Sequence, residues 1–565
     1  MINRTILVSL SLFFTFCENP DSHQKTNKGL LGKECMVVTA HELASEVGKQ
    51  VILEGGNAFD AAVAVHFTLA VVYPQAGNIG GGGFAVFRKF DGQSGSLDFR
   101  EKAPLAASKN MYLDESGIVI PDKSLVGHLA VGVPGSVDGL YALHEKYGTK
   151  PWSYLLQPSI SLSENGHAIN ATLAKELNRF HDVFLEENER KTAYTKDEIW
   201  SKGDTLINTD LAQTLKAIQA KGRDGFYAGW VAKKIVEEQS NGHGLITSND
   251  LKQYKSKWRK PLVETYKNHQ IITMAPPSAG GVTLLQMLQG SEQFDFKKSG
   301  HNTTETIHHM VEIERRAYAD RATYLGDPDY VDIPLEKLLS RTYNQSKFST
   351  ITPQKATPSS EVKDGQVDII ESMETTHYSI LDSEGNAVAI TTTLNSYFGS
   401  KVVVNGGGFF LNNEMDDFSA QAGVANQFGL ISTDVNSIEP EKRMLSSMTP
   451  TIVEKGGKLK MILGTPGGST IITSVYQTIL NIIDHNMTMQ EAVDAPKFHS
   501  QWLPDKVYFE DGKFDQSVLD SLGQLGHQVE VRSAIGKLEC ILVYDDGTIE
   551  GAPDITRNES AAAGY

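Results

Sequence analysis

The pattern of hydrophobic and polar positions divides the chain into a mainly helical part and a part that is typical of strands. Residues 40–73 predict two helices, and residues 125–340 have a mostly helical pattern. After residue 375 the pattern changes to the alternation that is typical of strands. Between the two parts, residues 350–372 are polar and contain prolines. We therefore expect an exposed, flexible stretch that ends directly before Thr375.

The second predicted helix carries a recognisable start signal, and a glycine-rich bend follows it. Asn57 is a preferred N-cap residue, and Asp60 stands three positions later, as in a capping box. The glycine-rich segment 77–83 then precedes a strand-like run at 84–88. A phosphate-binding loop would need Lys followed by Ser or Thr after the glycines, and this is absent. We interpret the bend as backbone packed where no side chain fits.

A hairpin is predicted just after the polar stretch. Residues 376–382 and 386–393 alternate like strands, and a three-residue loop ending in Gly385 separates them. Such a loop uses a left-handed residue at its third position, which pairs Asp382 with Asn386. The same register places Thr375 opposite Thr393. Two hydroxyls are therefore expected on one face, at the open end of the hairpin.

A strand-to-helix turn is predicted near residue 466. Residues 458–464 form a strand pattern, and an apolar-periodic helix runs from Thr470 to Asp484. Gly467 and Gly468 lie between them, so their N–H groups can point into a site at a helix N-terminus. The alternative is a plain helix start with Ser469 as its N-cap.

Length and charge limit the classes of protein to which the chain can belong. The chain has 565 residues and 61.9 kDa, which predicts two or more domains or one large layered domain. A net charge of −17 and a pI near 5.4 argue against a nucleic-acid binder, because phosphate contacts need clustered Lys and Arg. Three cysteines cannot form a disulfide framework.

The first residues have the pattern of an export signal. In segment 1–17, Arg4 is followed by an apolar run that ends at Phe16, and Cys17 comes next. The run is too short to span a bilayer but suits a signal-peptide core. A Cys at this place resembles a bacterial lipoprotein signal, although Phe16 is bulky where a small residue is usual. An ordinary cleaved signal is the alternative. Residues 18–34 are interpreted as a linker, and we expect a periplasmic protein or a membrane-anchored lipoprotein.

Six ordered motifs together resemble the γ-glutamyltranspeptidase family. They are the segments 77–84, 98–101, 374–379, 412–419, 445–450 and 466–469. The resemblance runs from about residue 35 to Tyr565. It implies an N-terminal-nucleophile (Ntn) hydrolase of the αββα class, with two mainly antiparallel sheets stacked between helical layers.

The resemblance also implies an inactive precursor that cuts itself before a Thr. Here that bond is Glu374–Thr375, which gives a large subunit of residues 35–374 and a small catalytic subunit of residues 375–565. The two chains of the same precursor are expected to form one intertwined globular unit.

For the chemistry, the resemblance assigns Thr375 as nucleophile and Thr393 as the residue that orients it. A Thr hydroxyl is a weak nucleophile unless a base removes its proton, and a new chain start supplies an α-amino group for this purpose. Gly467 and Gly468 are assigned to the oxyanion site. The structural alternative for either Thr is ordinary strand propensity.

The resemblance assigns a substrate pocket with opposite charges. Arg100 would bind the α-carboxylate of a γ-glutamyl group, with hydroxyl donors from two serines. Carboxylates and an Asn would hold the α-ammonium. The pocket residues implied are Arg100, Asn395, Glu414, Asp417, Ser446 and Ser447. Without the family, Arg100 and Glu101 would be interpreted as a solvated ion pair of little energetic value.

Residues 420–440 are implied to form a lid over this pocket, with Phe428 gating the entrance. An irregular surface loop is the alternative. Neither a metal nor a cofactor is expected, and His377 and His499 lack partners at ligand spacing, so both are interpreted as structural.

The sequence thus predicts a self-processing γ-glutamyl acyltransferase and glutathione hydrolase. Its substrates would be glutathione and other γ-glutamyl compounds, and its acceptors water, amino acids or dipeptides. A related acylase for glutaryl-cephalosporin side chains is the alternative enzyme, and it would need no site for an α-ammonium. Glu414 and Asp417 together argue against it. An unprocessed, inactive surface protein is the alternative from another class, and Thr375, Thr393, Gly467 and Gly468 argue against that.

Overall fold

The computed structural model describes residues 28–362, 375–554, 556 and 559–565. The predicted signal segment 1–17 with Cys17, most of the linker and Glu374 lie outside the described residues. Within the described part of the chain, no helix has the length and apolar composition needed to cross a membrane.

Nineteen strands are described, and most belong to two seven-stranded sheets. The strands are β1 (Leu30–Gly32), β2 (Met36–Thr39), β3 (Gly82–Arg88), β4 (Ser94–Asp98), β5 (His167–Ala168), β6 (Thr205–Leu206), β7 (Lys257–Arg259), β8 (Leu262–Tyr266), β9 (His269–Thr273), β10 (Thr375–Leu381), β11 (Ala387–Thr393), β12 (Thr451–Lys455), β13 (Lys458–Leu463), β14 (Phe498–His499), β15 (Val507–Glu510), β16 (Val529–Arg532), β17 (Glu539–Val543), β18 (Ile549–Pro553) and β19 (Ala561–Gly564).

Nineteen α-helices are described between and after these strands. They are α1 (Glu42–Leu53), α2 (Ala58–Val72), α3 (Ser136–Tyr147), α4 (Trp152–Asn165), α5 (Ala171–Arg179), α6 (His181–Glu187), α7 (Thr209–Lys221), α8 (Asp224–Tyr227), α9 (Gly229–Asn241), α10 (Ser248–Gln253), α11 (Gly280–Ser291), α12 (Phe296–Ser299), α13 (Thr304–Tyr324), α14 (Leu335–Leu338), α15 (Arg341–Phe348), α16 (Ser359–Val362), α17 (Thr470–Ile483), α18 (Met489–Asp494) and α19 (Gln516–Gln524).

The two large sheets stack face to face between helical layers. One has the order β1-β18-β17-β13-β12-β9-β8 and the other β19-β2-β10-β11-β3-β4-β7, and every strand pair in both is antiparallel. Successive side chains of a strand point to opposite faces. Val86 and Ile462 accordingly lie in the core between the sheets. Phe87 packs instead against the α1–α4 side, and Met461 against α11, α13 and α17. This confirms the predicted αββα class.

Both sheets draw strands from each side of residue 375. In one sheet β10 lies between β2 and β11, and in the other β12 lies between β9 and β13. A cut before Thr375 would therefore leave two chains that share the hydrogen bonds of both sheets. This arrangement supports one intertwined unit.

The predicted hairpin register is confirmed residue for residue. β10 and β11 pair Thr375 with Thr393 and Leu381 with Ala387. Gly385 has φ of 95°, the left-handed conformation that the loop rule requires. The capping box of α2 is also present, with Asn57 and Asp60 in the expected roles.

Two segments differ from the simple pattern. The helical stretch 125–340 contains β8 and β9, which join the edge of one large sheet. Part of the polar stretch before Thr375 is packed rather than exposed, since Ser359 is buried and hydrogen-bonds the Trp502 carbonyl at 2.5 Å. Residues 363–374 lie outside the described part of the chain.

Candidate active site

Most of the predicted site residues line one small cavity. Those present in its wall are Arg100, Thr375, Thr393, Asn395, Glu414, Asp417, Phe428, Ser446, Ser447 and Gly468. Gly467 precedes Gly468 in the same turn. The cavity therefore brings together residues from six regions of the sequence.

Thr375 and Thr393 meet at the open end of the hairpin. The Thr375 hydroxyl donates to Thr393 Oγ1 at 3.3 Å, and both residues are buried. The contact follows directly from the register of β10 and β11, because directly opposed residues bring their side chains together on one face.

Asn395 fixes Thr393 from the other side. Its backbone N–H donates to Thr393 Oγ1 at 2.7 Å, and its side-chain Nδ2 donates to the Asn413 carbonyl at 3.0 Å. Asn395 has φ of 78°, a left-handed conformation that Asn tolerates better than most residues. The chain therefore turns sharply after β11 and presents this backbone N–H to the hydroxyl.

Arg100 is the centre of a buried charge cluster. Its guanidinium donates to Glu414 and to Asp417, and its Nε donates to the Met444 carbonyl at 3.3 Å. Glu101 Oε2 lies 3.5 Å from Arg100 Nη1. All three acidic side chains are nearly or fully buried, so the solvated ion pair considered for Arg100 and Glu101 is wrong.

Burial and charge set the protonation of this cluster. Burial lowers the pKa of Arg100, but the charges of Glu414 and Asp417 outweigh burial and hold that pKa above its ordinary value. Burial raises the pKa of Glu101 to about 7, although Arg100 lowers it. One oxygen each of Glu101 and Glu414 has no hydrogen-bond partner among the described residues. The cluster thus keeps a charged guanidinium and retains acceptor capacity.

Ser446 and Ser447 are held by the bend at residues 276–281. The Ser446 N–H donates to the Pro277 carbonyl at 3.0 Å, and the Ala279 N–H donates to the Ser446 carbonyl at 2.7 Å. The bend is the Pro-Pro-Ser-Ala-Gly-Gly segment of the sequence. In the structure it fixes the backbone from which both serine hydroxyls reach the cavity.

Gly467 and Gly468 form the turn between β13 and α17. Their φ values are 136° and 54°, which other residues rarely adopt. Ser469 stands at the N-cap position of α17, but its hydroxyl makes no capping hydrogen bond. The predicted N-cap position of Ser469 is therefore confirmed, but its side chain does not cap the helix.

The segment with Phe428 covers part of the cavity. Phe428 is buried, and its ring lies so close to Gly468 that a Cβ at that glycine would overlap it. Its carbonyl accepts from Gln501 Nε2 at 3.1 Å, and the Gln427 N–H donates to Asp416 Oδ2 at 3.0 Å. The residues around Phe428 are thus packed, whereas residues 421–424 of the same segment are exposed.

The two histidines are buried in hydrogen-bonded environments. His377 contacts the hydroxyls of Thr391 and Ser379 at 2.8 and 3.1 Å, and burial lowers its pKa to about 3. His499 contacts Thr473 Oγ1 at 2.8 Å, and burial lowers its pKa to about 4. Over the described ranges, no group of three or more His, Cys, Asp or Glu could hold a metal ion.

Sequence reasoning missed Arg321 in the cavity wall. This residue lies in the last turn of α13 and donates from Nη2 to Ser447 Oγ at 3.1 Å. It sits in a run with several charged residues, Glu312 to Arg321, so no feature of the local pattern separates it from surface charges. Only its long-range contact with Ser447 reveals it.

Proteins of known family are similar to this chain over nearly its whole length. The family model for gamma-glutamyltranspeptidase matches residues 44–564. The glutathione hydrolase proenzyme of Pseudomonas sp. (strain A14) is 46% identical over 576 residues, covering 100% of this chain and 100% of the relative. The glutathione hydrolase proenzyme of Escherichia coli (strain K12) is 44% identical over 535 residues, covering 94% of this chain and 92% of the relative.

Solved structures show the same fold. The cephalosporin acylase of Bacillus halodurans superimposes with a TM-score of 0.83 at 24% identity, covering 98% of this chain and 99% of that chain. A chain of the gamma-glutamyltranspeptidase of Helicobacter pylori has a TM-score of 0.56 at 45% identity, covering 61% of this chain and 97% of that chain. Because its sequence identity to this chain is low, the acylase supports only the assignment of the fold.

Proposed function

The chain belongs to the γ-glutamyltranspeptidase family, and from this premise we propose that it is a self-processing γ-glutamyltranspeptidase and glutathione hydrolase with Thr375 as its nucleophile. One observation carries the assignment of the site. The paired hydroxyls of Thr375 and Thr393 share a cavity with the Arg100–Glu414–Asp417 cluster, so a nucleophile faces a site for opposite charges.

Processing uses the same oxygen that later attacks the substrate. Thr375 Oγ1 adds to the Glu374 carbonyl carbon, and the peptide C–N bond breaks as an ester forms. The departing nitrogen takes up the proton and becomes the α-amino group of Thr375. Water then hydrolyses the ester, which leaves a Glu374 carboxylate and restores the Thr375 hydroxyl.

The new α-amino group is the base for catalysis. Its ordinary pKa is about 7.7–8.0, so a useful fraction is neutral near neutral pH and can accept the Thr375 proton. Thr393, whose Oγ1 also accepts from the Asn395 N–H, holds the Thr375 hydroxyl in place. An uncut chain has no such amine at residue 375, which explains why processing must precede activity.

Acyl transfer then proceeds in two steps. Thr375 Oγ1 attacks the γ-carbonyl of the donor, and the amine leaves with the proton that the base had taken. The γ-glutamyl–Thr375 ester is attacked by water in hydrolysis, or by an amino acid or dipeptide amine in transpeptidation. The N–H groups of Gly467 and Gly468 stabilise the oxyanion of each tetrahedral intermediate.

The charges of the pocket fit a zwitterionic donor group. Two cations, Arg100 and Arg321, balance two carboxyls, Glu414 and Asp417, in the cavity wall. Burial raises the pKa of both carboxyls, and the charge of Arg100 opposes this rise. A γ-glutamyl group adds one carboxylate and one ammonium, so it leaves this balance unchanged. A glutaryl group adds a carboxylate alone. The balance therefore supports glutathione and other γ-glutamyl compounds as donors.

Phe428 completes the site as a lid residue. Its ring covers Gly468, and its segment is tied to Asp416 and Gln501. In this position it limits the access of water and acceptor to the ester. The lid is thus placed to influence whether water or an acceptor amine attacks the ester.

Substitution of Asp417 tests the ammonium site. Asp417→Ala should lower kcat/KM for a γ-glutamyl anilide by at least about tenfold, the scale of one charge-assisted hydrogen bond. A 4-aminobutanoyl anilide, which keeps the ammonium but lacks the carboxylate, should be affected equally. A glutaryl anilide, which keeps only the carboxylate, should not. Steady-state kinetics on the three donors measures this.

Arg100→Ala is the complementary variant. It should lower kcat/KM for the γ-glutamyl and glutaryl anilides by at least about tenfold and spare the 4-aminobutanoyl donor. Both variants should still yield two chains on a denaturing gel, because neither removes the nucleophile. If Asp417→Ala kept the wild-type preference for γ-glutamyl over glutaryl donors, the ammonium would be bound elsewhere.

Export is proposed from the first segment of the sequence. The apolar run before Cys17 supports either a periplasmic protein or a membrane-anchored lipoprotein. If Cys17 is the lipid anchor, Cys17→Ser should move the protein from the membrane to the soluble fraction and leave kcat/KM unchanged. Cell fractionation with an activity assay checks this. An unchanged membrane fraction would reject Cys17 as the anchor.

A further inference from the structure

Arg321 is a buried cation in the cavity wall for which the family resemblance gives no role. Its side chain reaches Ser447 from the last turn of α13 and is only slightly exposed. Its Nε has no hydrogen-bond partner within the described part of the chain. A buried guanidinium that forms so few bonds is costly to keep, which points to a use at the cavity.

The bond from Arg321 determines what the Ser447 hydroxyl can do. A hydroxyl has one proton and two acceptor lone pairs, whereas a guanidinium only donates. Ser447 Oγ accepts from Arg321 Nη2 at 3.1 Å, so its own proton cannot point back along this bond. The proton is left for another acceptor, and Ser447 lines the cavity.

Ser446 is arranged in the same way. Its Oγ accepts from the Met448 N–H at 3.2 Å, a donor that is fixed by the backbone. Two neighbouring hydroxyls therefore both accept from donors in the wall and both retain a proton for the cavity. A ligand carboxylate is the acceptor that suits such a pair.

We propose that Arg321 is a positioning residue for the donor substrate: it fixes the Ser447 hydroxyl as a donor to the α-carboxylate and adds positive charge at that end of the cavity. The proposal rests on the proposed γ-glutamyl function and identifies a determinant of its donor preference. The hydrogen bond acts through Ser447 and the charge acts across the cavity, so neither effect requires direct contact between Arg321 and the substrate.

The electrostatics explain why a second cation is useful. Arg100 is already bound to Glu414 and Asp417, so an arriving carboxylate must compete with two internal anions. Arg321 forms no such direct ion pair among the described residues. Burial lowers its pKa, and the charges of Tyr318 and Asp417 oppose this only in part. An incoming carboxylate adds negative charge that offsets the charge of Arg321.

The test combines three donors with a double-mutant cycle. Arg321→Met keeps much of the buried volume but removes the charge and the donor. We expect kcat/KM to fall at least about tenfold for γ-glutamyl and glutaryl anilides and to change less than about twofold for the 4-aminobutanoyl anilide. Because the hydrogen bond acts through Ser447, the fold-loss in Arg321→Met/Ser447→Ala should be smaller than the product of the two single fold-losses.

Controls separate this role from a general loss of structure. Arg316→Met removes another buried Arg of α13, one that pairs with Glu312 outside the cavity, and it should leave the ratio of kcat/KM between donors at the wild-type value. Arg321→Lys keeps the charge without the planar fork and should recover part of the loss. If Arg321→Met proves insoluble, kcat/KM for the same three donors is compared in Arg321→Lys and Ser447→Ala.

Two results would overturn the proposal. An equal fall for all three donors would mean that Arg321 supports the fold alone, and strictly additive effects in the double variant would remove the link through Ser447. The proposed function fails in a different way. A wild-type protein that is cut into two chains but turns over no γ-glutamyl donor would reject the function, whatever the variants do.

Discussion

Thr375→Ala is expected to give a single full-length chain with no γ-glutamyl transfer or hydrolysis. In the proposed mechanism, the same oxygen attacks Glu374 during processing and the donor during catalysis, so its removal should stop both reactions. In the uncut chain, the Thr375 hydroxyl is held by its hydrogen bond to Thr393 at the open end of the hairpin. A denaturing gel and a γ-glutamyl anilide assay on the purified protein measure the two outcomes.

Neighbouring variants make this test specific. Thr375→Ser keeps a hydroxyl and should yield two chains with activity. Thr376→Ala removes the adjacent buried hydroxyl, which forms no hydrogen bond within the described ranges, and should be processed normally. The wild-type processing rate should not depend on protein concentration, because the attack is intramolecular. Two normal chains from Thr375→Ala would reject Thr375 as the nucleophile.

Gly468→Ala is expected to lower kcat by about 10²–10³-fold, the effect typical of losing one oxyanion donor. Gly468 has φ of 54°, which is strained for Ala, and the new Cβ would overlap the Phe428 ring. Either the turn or the lid must move to relieve that overlap. Both movements would shift the Gly468 N–H away from the proposed oxyanion position.

Gly456→Ala is the matched control for this substitution. Gly456 lies in the turn between β12 and β13 with φ of 58°, and a Cβ there meets nothing within 4 Å. It therefore carries the same backbone strain without the contact to the lid. Steady-state kinetics and thermal unfolding should show similar losses of stability for both variants and a loss of kcat only for Gly468→Ala. Equal kinetic losses would assign the effect to strain alone.

Local rules were sufficient for the parts of the site that lie close together in sequence. The loop ending in Gly385 sets the register of its hairpin through one left-handed residue. That register alone brings Thr375 and Thr393 together. The turn at Gly467 and Gly468 is local in the same sense, because the strand before it and the helix after it have clear periodic patterns.

The charge cluster could be predicted only in part. Motif resemblance named Arg100, Glu414 and Asp417 as pocket residues, but their direct pairing joins side chains more than 300 positions apart. Without the family motifs, the adjacent Arg100 and Glu101 are typical of a solvated surface ion pair. Folding buries them between segments that no local pattern connects, and burial then raises the pKa of Glu101 to about 7.

The sequence by itself determined the hairpin, the strand-to-helix turn, the layered class and the family, since these depend on periodicity, turn geometry and ordered motifs. Only the tertiary structure decided which distant residues contact each other around the cavity. Arg321 reaches Ser447, Phe428 covers Gly468, and the bend at residues 276–281 holds Ser446. These contacts form only when β-sheet stacking and helix packing bring distant segments within hydrogen-bond or van der Waals distance. A pattern along one segment carries no information about them.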